Sequence, residues 1–547
     1  MEDKNKFVGF YKNIISKKHF YLIILFMAFS AYGFSIFNRT ISWDDLMWYH
    51  YQDIMLSGRW GMIAWSKLTG LVEFDPYSAK MLTLFCLCLT AIALCYLLYE
   101  IGHVKSIWAY TLTASAFVTY PLFNEIWEYY GANYILSGGM LLSTLSVIVV
   151  RSDMKIRSRM LVASTLMILP MSSYESAVFY YIALICIAIF YEHIAGANEI
   201  NCFRDWYIKI LPFTIPLIVS FIIRIIVSVI INAIFGLEYH SGGATEIYWL
   251  MYNPIKVLIY IIGSNAIDYF LCGLIYFPIT IFSIFLLSFI YRLLKVSKNK
   301  KTTFLLGALV VLSLFTQAFI QGQPMPYRNA QTIMLFVSFV IFLFSSSTSS
   351  FTKVVRYAVL TLLFGICWHQ AVYTNRILSL NNLRSENELY IVRKIGSEIS
   401  SNYEKKPVVV VAPYQINSWI RSKITANDET LNGRLFYYIH HFYKQLVKPY
   451  KYVRTNVNSA TEEYPQIQLL FEYCGYDVDV IEPRPKPHTI EYKVKDRKIL
   501  NEAIAFCEKQ KLKPYQIYDN GEYLIVNMGG RYFENGFYSP LLYIEDE

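Results

Sequence analysis

The chain has 547 residues, 55% of them hydrophobic and only 16% charged, against about 25% charged residues in an ordinary soluble domain. With 17% aromatics and repeated apolar runs, this balance excludes a soluble globular protein and indicates an integral membrane protein. The net charge of +9 is not a nucleic-acid signal, because the basic residues lie largely in short loops between apolar stretches.

In chain order, the N-terminus MEDKNKFVGFYKNIISKKHF is basic and runs into a full-length apolar stretch with no small-residue cleavage site after it. That reads as a retained first helix and not a signal peptide. A spanning helix needs ~20 mostly apolar residues. Eleven stretches are candidates, at about 19–37, 79–99, 106–123, 132–150, 159–172, 176–191, 210–234, 268–291, 302–320, 330–346 and 354–373. Residues 255–267 are apolar but too short to cross separately, which fits a re-entrant or interfacial segment. With the N-terminus in the cytoplasm, the inner segments carry 19 Lys and Arg and the outer loops before residue 374 carry six. The positive-inside rule supports that orientation, and an odd number of spans puts everything after Thr374 outside. Of nine cysteines, seven lie in or beside apolar spans, where Cys acts as a small hydrophobe. Cys474 and Cys507 fall in the polar C-terminal part, and spacing alone does not decide whether they pair.

The first outer loop, 38–78, holds ISWDDLMWYHYQDIMLSGRWG. Ser42 suits an N-cap with Asp45 closing a capping box, and Asp44 suits the positive end of the helix dipole. Trp43, Leu46, Met47, Tyr51 and Ile54 recur at helical spacing, which describes a helix lying in the membrane interface. His50 beside that stripe reads as a headgroup or water contact. Capping explains Asp45 better than Asp44. A carboxylate held at lipid-phosphate depth suits a general base for a hydroxyl whose partner substrate is membrane-anchored. In GRW, Arg59 precedes Trp60; an arginine there either binds a phosphate bidentately or touches lipid headgroups.

Other outer-face groups follow along the chain. FNEIWEYYGAN places Glu125, Glu128 and four aromatics in a short turn, which suits sugar binding and equally an aromatic belt. PMSSYESA places Tyr174 and Glu175 between two spans, where Glu175 also suits a helix cap. Arg224, in SFIIRIIVS, lies inside a span, a functional hypothesis by default with an interhelical salt bridge as its bland alternative. QGQPMPYRNA puts Arg328 in a loop stiffened by two prolines.

The last ~170 residues change character to mixed helix and strand. Leu389, Val392, Ile395 and Ile399 have helical spacing. KPVVVVAPY suits a buried strand, PQIQLLFEYCGYDVDVIEP a helix then a strand, and DRKILNEAIAFCEKQ a helix. YQIYD and EYLIVNM flank an Asn-Gly turn as in a hairpin. Adjacent His440 and His441 read as surface residues. The fold class is therefore an α-helical polytopic membrane protein, residues 1–373, with a small outward α/β domain, residues 374–547. No phosphate-cradling Gly loop, metal-ligand spacing or internal repeat is seen.

SWDDLMWYH, SGRWG, SSYES and MPYRNA give the chain a resemblance to the membrane glycosyltransferases of the GT-C class, and within it to the O-antigen glucosyltransferases of serotype-converting phages. The resemblance covers residues 1 to about 373. It implies an acid of the first outer loop as base, mapping to Asp44. It also implies glucosyl transfer from undecaprenyl-phosphate glucose to lipid-linked O-antigen repeat units on the periplasmic face of the inner membrane. Many members carry Asp-Glu or a longer acidic motif where this chain has Asp45, so a divalent cation there is left open, and no other cofactor is expected. A lipid-linked donor fits the lack of a nucleotide-binding loop, since nucleotide sugars are cytoplasmic. Two other functions compete. A transporter or flippase predicts several midplane charges and repeated halves, whereas only Arg224 stands out. A polysaccharide polymerase or ligase shares lipid-linked substrates and outer arginines, but the acid pair after the first span and the outward tail favour the transferase.

Overall fold

The computed structural model describes residues 2–40, 58–71, 75–196, 203–235, 253–265, 300–322, 329–348, 351–411, 471–479 and 516–527, with short pieces near 249, 325, 499–510, 532–533 and 536–537. They divide into two compact units, Met1–Arg39 with His50–Leu378, and Thr40–Tyr49 with Ser379–Glu547.

The first unit is helical. A short helix α1 (Glu2–Phe10) leads through a π-turn into α2 (Lys18–Phe37). There follow α3 (Trp60–Thr69), α4 (Pro76–Gly102), α5 (Ile107–Val118), the one-turn α6 (Asn124–Trp127) and α7 (Asn133–Arg151). Next come α8 (Ile156–Ser173), α9 (Glu175–Ile194), α10 (Phe203–Phe235) and α11 (Pro254–Asn265). The last four are α12 (Lys300–Leu314), α13 (Thr316–Gln321), α14 (Gln331–Ser347) and α15 (Lys353–Asn402). Helices occupy ten of the eleven stretches expected to span; the eleventh, 268–291, lies outside the described residues. Six helical segments among the described residues are long and apolar enough to cross a membrane, at Lys18–Phe37, Pro76–Gly102, Asn133–Arg151, Glu175–Ile194, Tyr207–Phe235 and Lys353–Ser379. The short apolar run at 255–267 is the twelve-residue α11, capped by Asn253, whose side-chain oxygen accepts from the N–H of Ile255 at 3.0 Å.

The core forms around α5. Its residues Ala109 to Val118 are all buried, as befits a helix that is apolar on every side. It packs against α2, α4 and α14, and Tyr110 meets Phe10, Tyr99 and Phe342 in edge or tilted ring contacts. Around this centre, α7 packs on α4, α8 and α9. Helices α7, α8 and α9 approach closely where a Cβ on Gly139 would lie 3.0 Å from the Ala177 methyl, the use of small residues expected between apolar helices. Helix α4 starts crisply because Asp75 accepts the Ser78 N–H at 3.1 Å and Pro76 takes the first position, a site where its missing N–H costs nothing. At the opposite end, Arg151 of α7 binds Glu100 of α4 at 3.5 Å and also Glu192 of α9, so that three helix ends share one buried ion cluster.

In the second unit, β1 (Val408–Val411), β2 (Ile517–Asp519) and β3 (Leu524–Asn527) form a sheet of order β1-β3-β2. β1 runs parallel to β3, with Val408 opposite Leu524, and β2 runs antiparallel to it, with Ile517 opposite Val526. A separate two-residue pair joins β4 (Tyr532–Phe533) to β5 (Gly536–Phe537). Val392, Ile395 and Ile399 of α15 pack with Val408–Val410 and Leu524–Val526 in one core, and Leu389 lies against it. The turn between β2 and β3 is Asn520–Gly521, with Gly521 at φ +98°, a backbone state that glycine reaches without strain. Cys474 and Cys507 carry free thiols. His440 and His441 lie outside the described residues.

Candidate active site

At one end of the bundle, α8 gives way to α9 through a single extended residue, Tyr174 (φ −136°, ψ 114°). The next residue, Glu175, begins α9. Its side chain reaches to two arginines. Its Oε2 accepts from Nη2 of Arg59 at 3.1 Å, and its Oε1 accepts from Nη2 of Arg224 at 3.0 Å. Arg59 arrives as the residue before α3, after Gly58 at φ +70°. Arg224 arrives from α10, two turns beyond Pro216. The Arg59 guanidinium also lies 5.4 Å over the Tyr174 ring, and the Trp60 indole N–H points to the Arg224 carbonyl at 3.5 Å. Five residues singled out in the sequence, Arg59, Trp60, Tyr174, Glu175 and Arg224, therefore meet in one place. The intramembrane Arg224 finds its partner in Glu175, 49 positions away.

The charges do not balance within this cluster. Two guanidiniums share one carboxylate, and the Arg59, Glu175 and Arg224 side chains keep 34%, 31% and 18% of their surface. Each arginine fork has further N–H donors beyond the one given to Glu175. Among the described residues, the result is a partly open, net-positive pair of planar donors, an arrangement suited to phosphate or carboxylate.

The position of α3 is set by glycines. A Cβ on Gly61 would fall 2.2 Å from the Ser172 Oγ and 2.8 Å from the Ser172 backbone. One on Gly138 would fall 2.3 Å from the Trp65 ring. Only with hydrogen at both positions does α3 lie flat against α8 and α7. Ser66 then bonds the Tyr134 hydroxyl at 2.7 Å.

Glu128 does not join this cluster through any contact. It is fully buried, 1% exposed, in a second polar group. Its Oε1 accepts from the Ser35 hydroxyl at 3.1 Å, and its Oε2 meets no donor among the described residues. The same Ser35 oxygen accepts from the Trp127 indole at 3.0 Å and from Lys80 Nζ at 2.9 Å. Sequence reasoning missed Lys80 by counting it as a loop charge. The signal was present, since it is the second residue of an expected span, and a charge inside a span asks for a reason. Asp44 and Asp45, the interfacial helix expected around them, and Arg328 lie outside the described residues. Among the described residues no three His, Cys, Asp or Glu gather as a metal site.

These features define an integral membrane protein of many helices with a cationic site at one end of its bundle. Residues 33–363, more than half the chain, match the family described as glucosyl transferase GtrII, and the chain belongs to that family. The resemblance read from its short motifs is thereby shown, and the protein is a glycosyltransferase of the membrane. The match contains Asp44, Asp45 and all the arginines and glutamates named above, and ends before the C-terminal segment Ser379–Glu547. No curated protein matches the chain.

Proposed function

We propose that the protein transfers a glucosyl residue from undecaprenyl-phosphate glucose to lipid-linked O-antigen repeat units on the periplasmic face of the bacterial inner membrane. On this reading the Lys and Arg bias supports a cytoplasmic N-terminus, and an odd number of spans carries the residues after Thr374 to the periplasm. The observation that carries this reading is the bridging of Arg59 and Arg224 by Glu175. Among the described residues this cluster presents two guanidiniums for one carboxylate, a net positive charge that supports a phosphate as its ligand.

The chemistry follows from charge. As the acceptor hydroxyl attacks the anomeric carbon, Asp44 takes its proton, and the bond from that carbon to the donor phosphate oxygen breaks. The polyprenyl phosphate leaves with the bonding pair. Arg59 and Arg224 stabilise the charge that gathers on it, the kind of fixed electrostatic help that lowers a barrier most. Attack opposite the leaving group inverts the anomeric centre. Glu175 keeps both forks in place, Trp60 ties α3 to the α10 backbone beside Arg224, and Arg328 is a further cation for the phosphate. The aromatic side chains of Trp60 and Tyr174 supply faces for the sugar.

The test is expression in cells of defined O-antigen, with mass spectrometry of the polysaccharide. An added hexose with the native chain and none with Asp44→Asn is the expected result. The amide keeps the shape and removes the base. An added hexose from Asp44→Asn, at equal protein level, would remove the base assignment.

A further inference from the structure

We propose that Tyr134 is a positioning residue for the cationic site, holding α3 in the register that brings Arg59 to Glu175. This rests on the reading of the paired arginines as the site of the donor phosphate.

Arg59 immediately precedes the first residue of α3, so its fork moves wherever that helix moves. Two glycine contacts, Gly61 on Ser172 and Gly138 on the Trp65 ring, set how near α3 lies to α8 and α7. Close packing alone does not stop a helix from sliding along its axis or turning about it. A hydrogen bond does, because it weakens steeply with distance and angle. The Ser66 and Tyr134 hydroxyls make such a bond at 2.7 Å, about two helical turns along the chain from Arg59. The Ser66 hydroxyl donates to the Met62 carbonyl at 2.9 Å, which leaves its oxygen to accept from Tyr134. The Met62 N–H in turn donates to the Arg59 carbonyl at 2.9 Å. An unbroken run of contacts therefore joins the Tyr134 hydroxyl to the backbone of Arg59.

Tyr134 is itself held fast. It lies in the first turn of α7, where its N–H donates to the Asn133 side-chain oxygen at 2.6 Å. The Asn133 side-chain N–H donates to the Trp127 carbonyl at 2.8 Å, and the Trp127 indole donates to Ser35 of α2 at 3.0 Å. The start of α7 is thus tied to α6 and α2. Tyr134 and Ser66 are 2% and 1% exposed. A phenylalanine and an alanine would fill nearly the same space, and exchanging both partners of a buried hydrogen bond for apolar groups can be near neutral for stability. What the polar pair adds is direction. The Arg59–Glu175 contact is 3.1 Å long, close to the upper end of ordinary N–H···O distances at about 3.2 Å. A slip of α3 by ~1 Å takes it out of that range and removes one fork from the phosphate. Trp60, which follows Arg59, would lose its contact with the Arg224 carbonyl at the same time.

The experiment titrates polyprenyl-phosphate glucose into the purified full-length protein and records the unfolding temperature of the same samples. The variants are Tyr134→Phe, Ser66→Ala, the two combined, Arg59→Lys, and Arg59→Lys with Tyr134→Phe. Tyr134→Phe and Ser66→Ala are each expected to weaken donor binding at least fivefold at a native unfolding temperature. The combined Tyr134 and Ser66 variant is expected to bind no worse than either alone, since both remove one bond. In the Arg59→Lys background, Tyr134→Phe is expected to change donor binding less than twofold, because residues that act through one another are not additive. If Tyr134→Phe does not accumulate as folded protein, Ser66→Ala carries the same expectation from the other side of the bond. Failure of both to fold would make the bond structural and overturn the proposal. So would a full further loss on adding Tyr134→Phe to Arg59→Lys, which would mean that Tyr134 acts elsewhere. Native binding by Tyr134→Phe beside weak binding by Arg59→Lys would remove this inference alone. Native binding by Arg59→Lys, or no donor binding by the native chain, would remove the phosphate reading of the cluster and the role of Tyr134 with it.

Discussion

Glu175 is the residue on which the cationic site depends. Replacing it by Gln keeps the side-chain length but removes the charge that holds two guanidiniums together. One of the two arginine contacts would then face an N–H₂ group, donor against donor. Glu175→Gln is expected to weaken donor binding about tenfold, or ~1.4 kcal/mol, as read by titrating polyprenyl-phosphate glucose into purified protein. Arg59→Lys and Arg224→Lys are each expected to do the same, because Lys keeps the charge and loses the fork. On sequence alone Arg224 ranks behind the loop arginines, because it is deeper in its span. The shared carboxylate removes that distinction, and equal losses in the two variants are the expected outcome. The residue types at this site were legible from short motifs. Their convergence was not, because Arg59 and Glu175 are 116 positions apart and Arg224 a further 49, and no local pattern records which helices are neighbours. Lys80 was legible but passed over, since a charge next to a span boundary is usually assigned to the loop.

Among elements, α3 is held closely against its neighbours at Gly61 and Gly138. Gly61→Ala places a methyl group against the Ser172 backbone, which cannot rotate away as a side chain can. The cost of such overpacking is about 1–3 kcal/mol. Because α3 carries Arg59 at its start, the same change should also raise the donor KM. Thermal unfolding together with donor titration checks both effects, and Gly61→Ala with unchanged values would show that α3 is free to shift. In the second unit, the β2–β3 hairpin makes a separate prediction about acid. Asp519 is held below the usual carboxylate range by hydrogen bonds from Lys406, at 2.7 and 3.0 Å, and from the Gly521 N–H. The folded-state pKa is depressed, so the stabilisation is present above the ordinary value of about 3.9 and is lost as the pH falls through the lowered one. The protection of the Leu524–Asn527 amides against hydrogen exchange, taken relative to the intrinsic rate at each pH, should therefore fall at acid pH in the native protein. It should change less with pH in Asp519→Asn. This hairpin was legible in the Asn-Gly pair between two apolar runs, and β1 in its four valines. Strand order was not, because the parallel β1–β3 pairing joins segments more than 110 residues apart.

For the molecule as a whole, the apolar runs gave the helices and their approximate limits, since hydrocarbon imposes a minimum length on anything that crosses it. The bends within runs were less visible. The expected span at 106–123 is a helix only to Val118, followed by a 3₁₀ turn at Pro121–Phe123. A reporter fused after Glu547 that works only outside the cytoplasm is expected to be active, and cytoplasmic activity there would shift the span count by one. At the end away from the site, Arg151→Met would remove the cation that Glu100 and Glu192 share, a loss of about 3–5 kcal/mol for a buried pair, seen as a lower unfolding temperature. Helix α10 has a different significance. Its 33 residues are about 50 Å long at 1.5 Å each, well beyond a hydrocarbon thickness of ~30 Å, and Phe221, Ile222, Ile225, Ile226, Val229 and Ile230 are all exposed. A helix so long and so little enclosed adapts to the bilayer by tilting. Arg224 rides on that helix, whereas Glu175 and Arg59 ride on shorter, better-packed ones. The separation between the two guanidiniums is therefore coupled to membrane thickness, and glucosyl transfer in proteoliposomes should peak at one acyl-chain length and decline on either side of it.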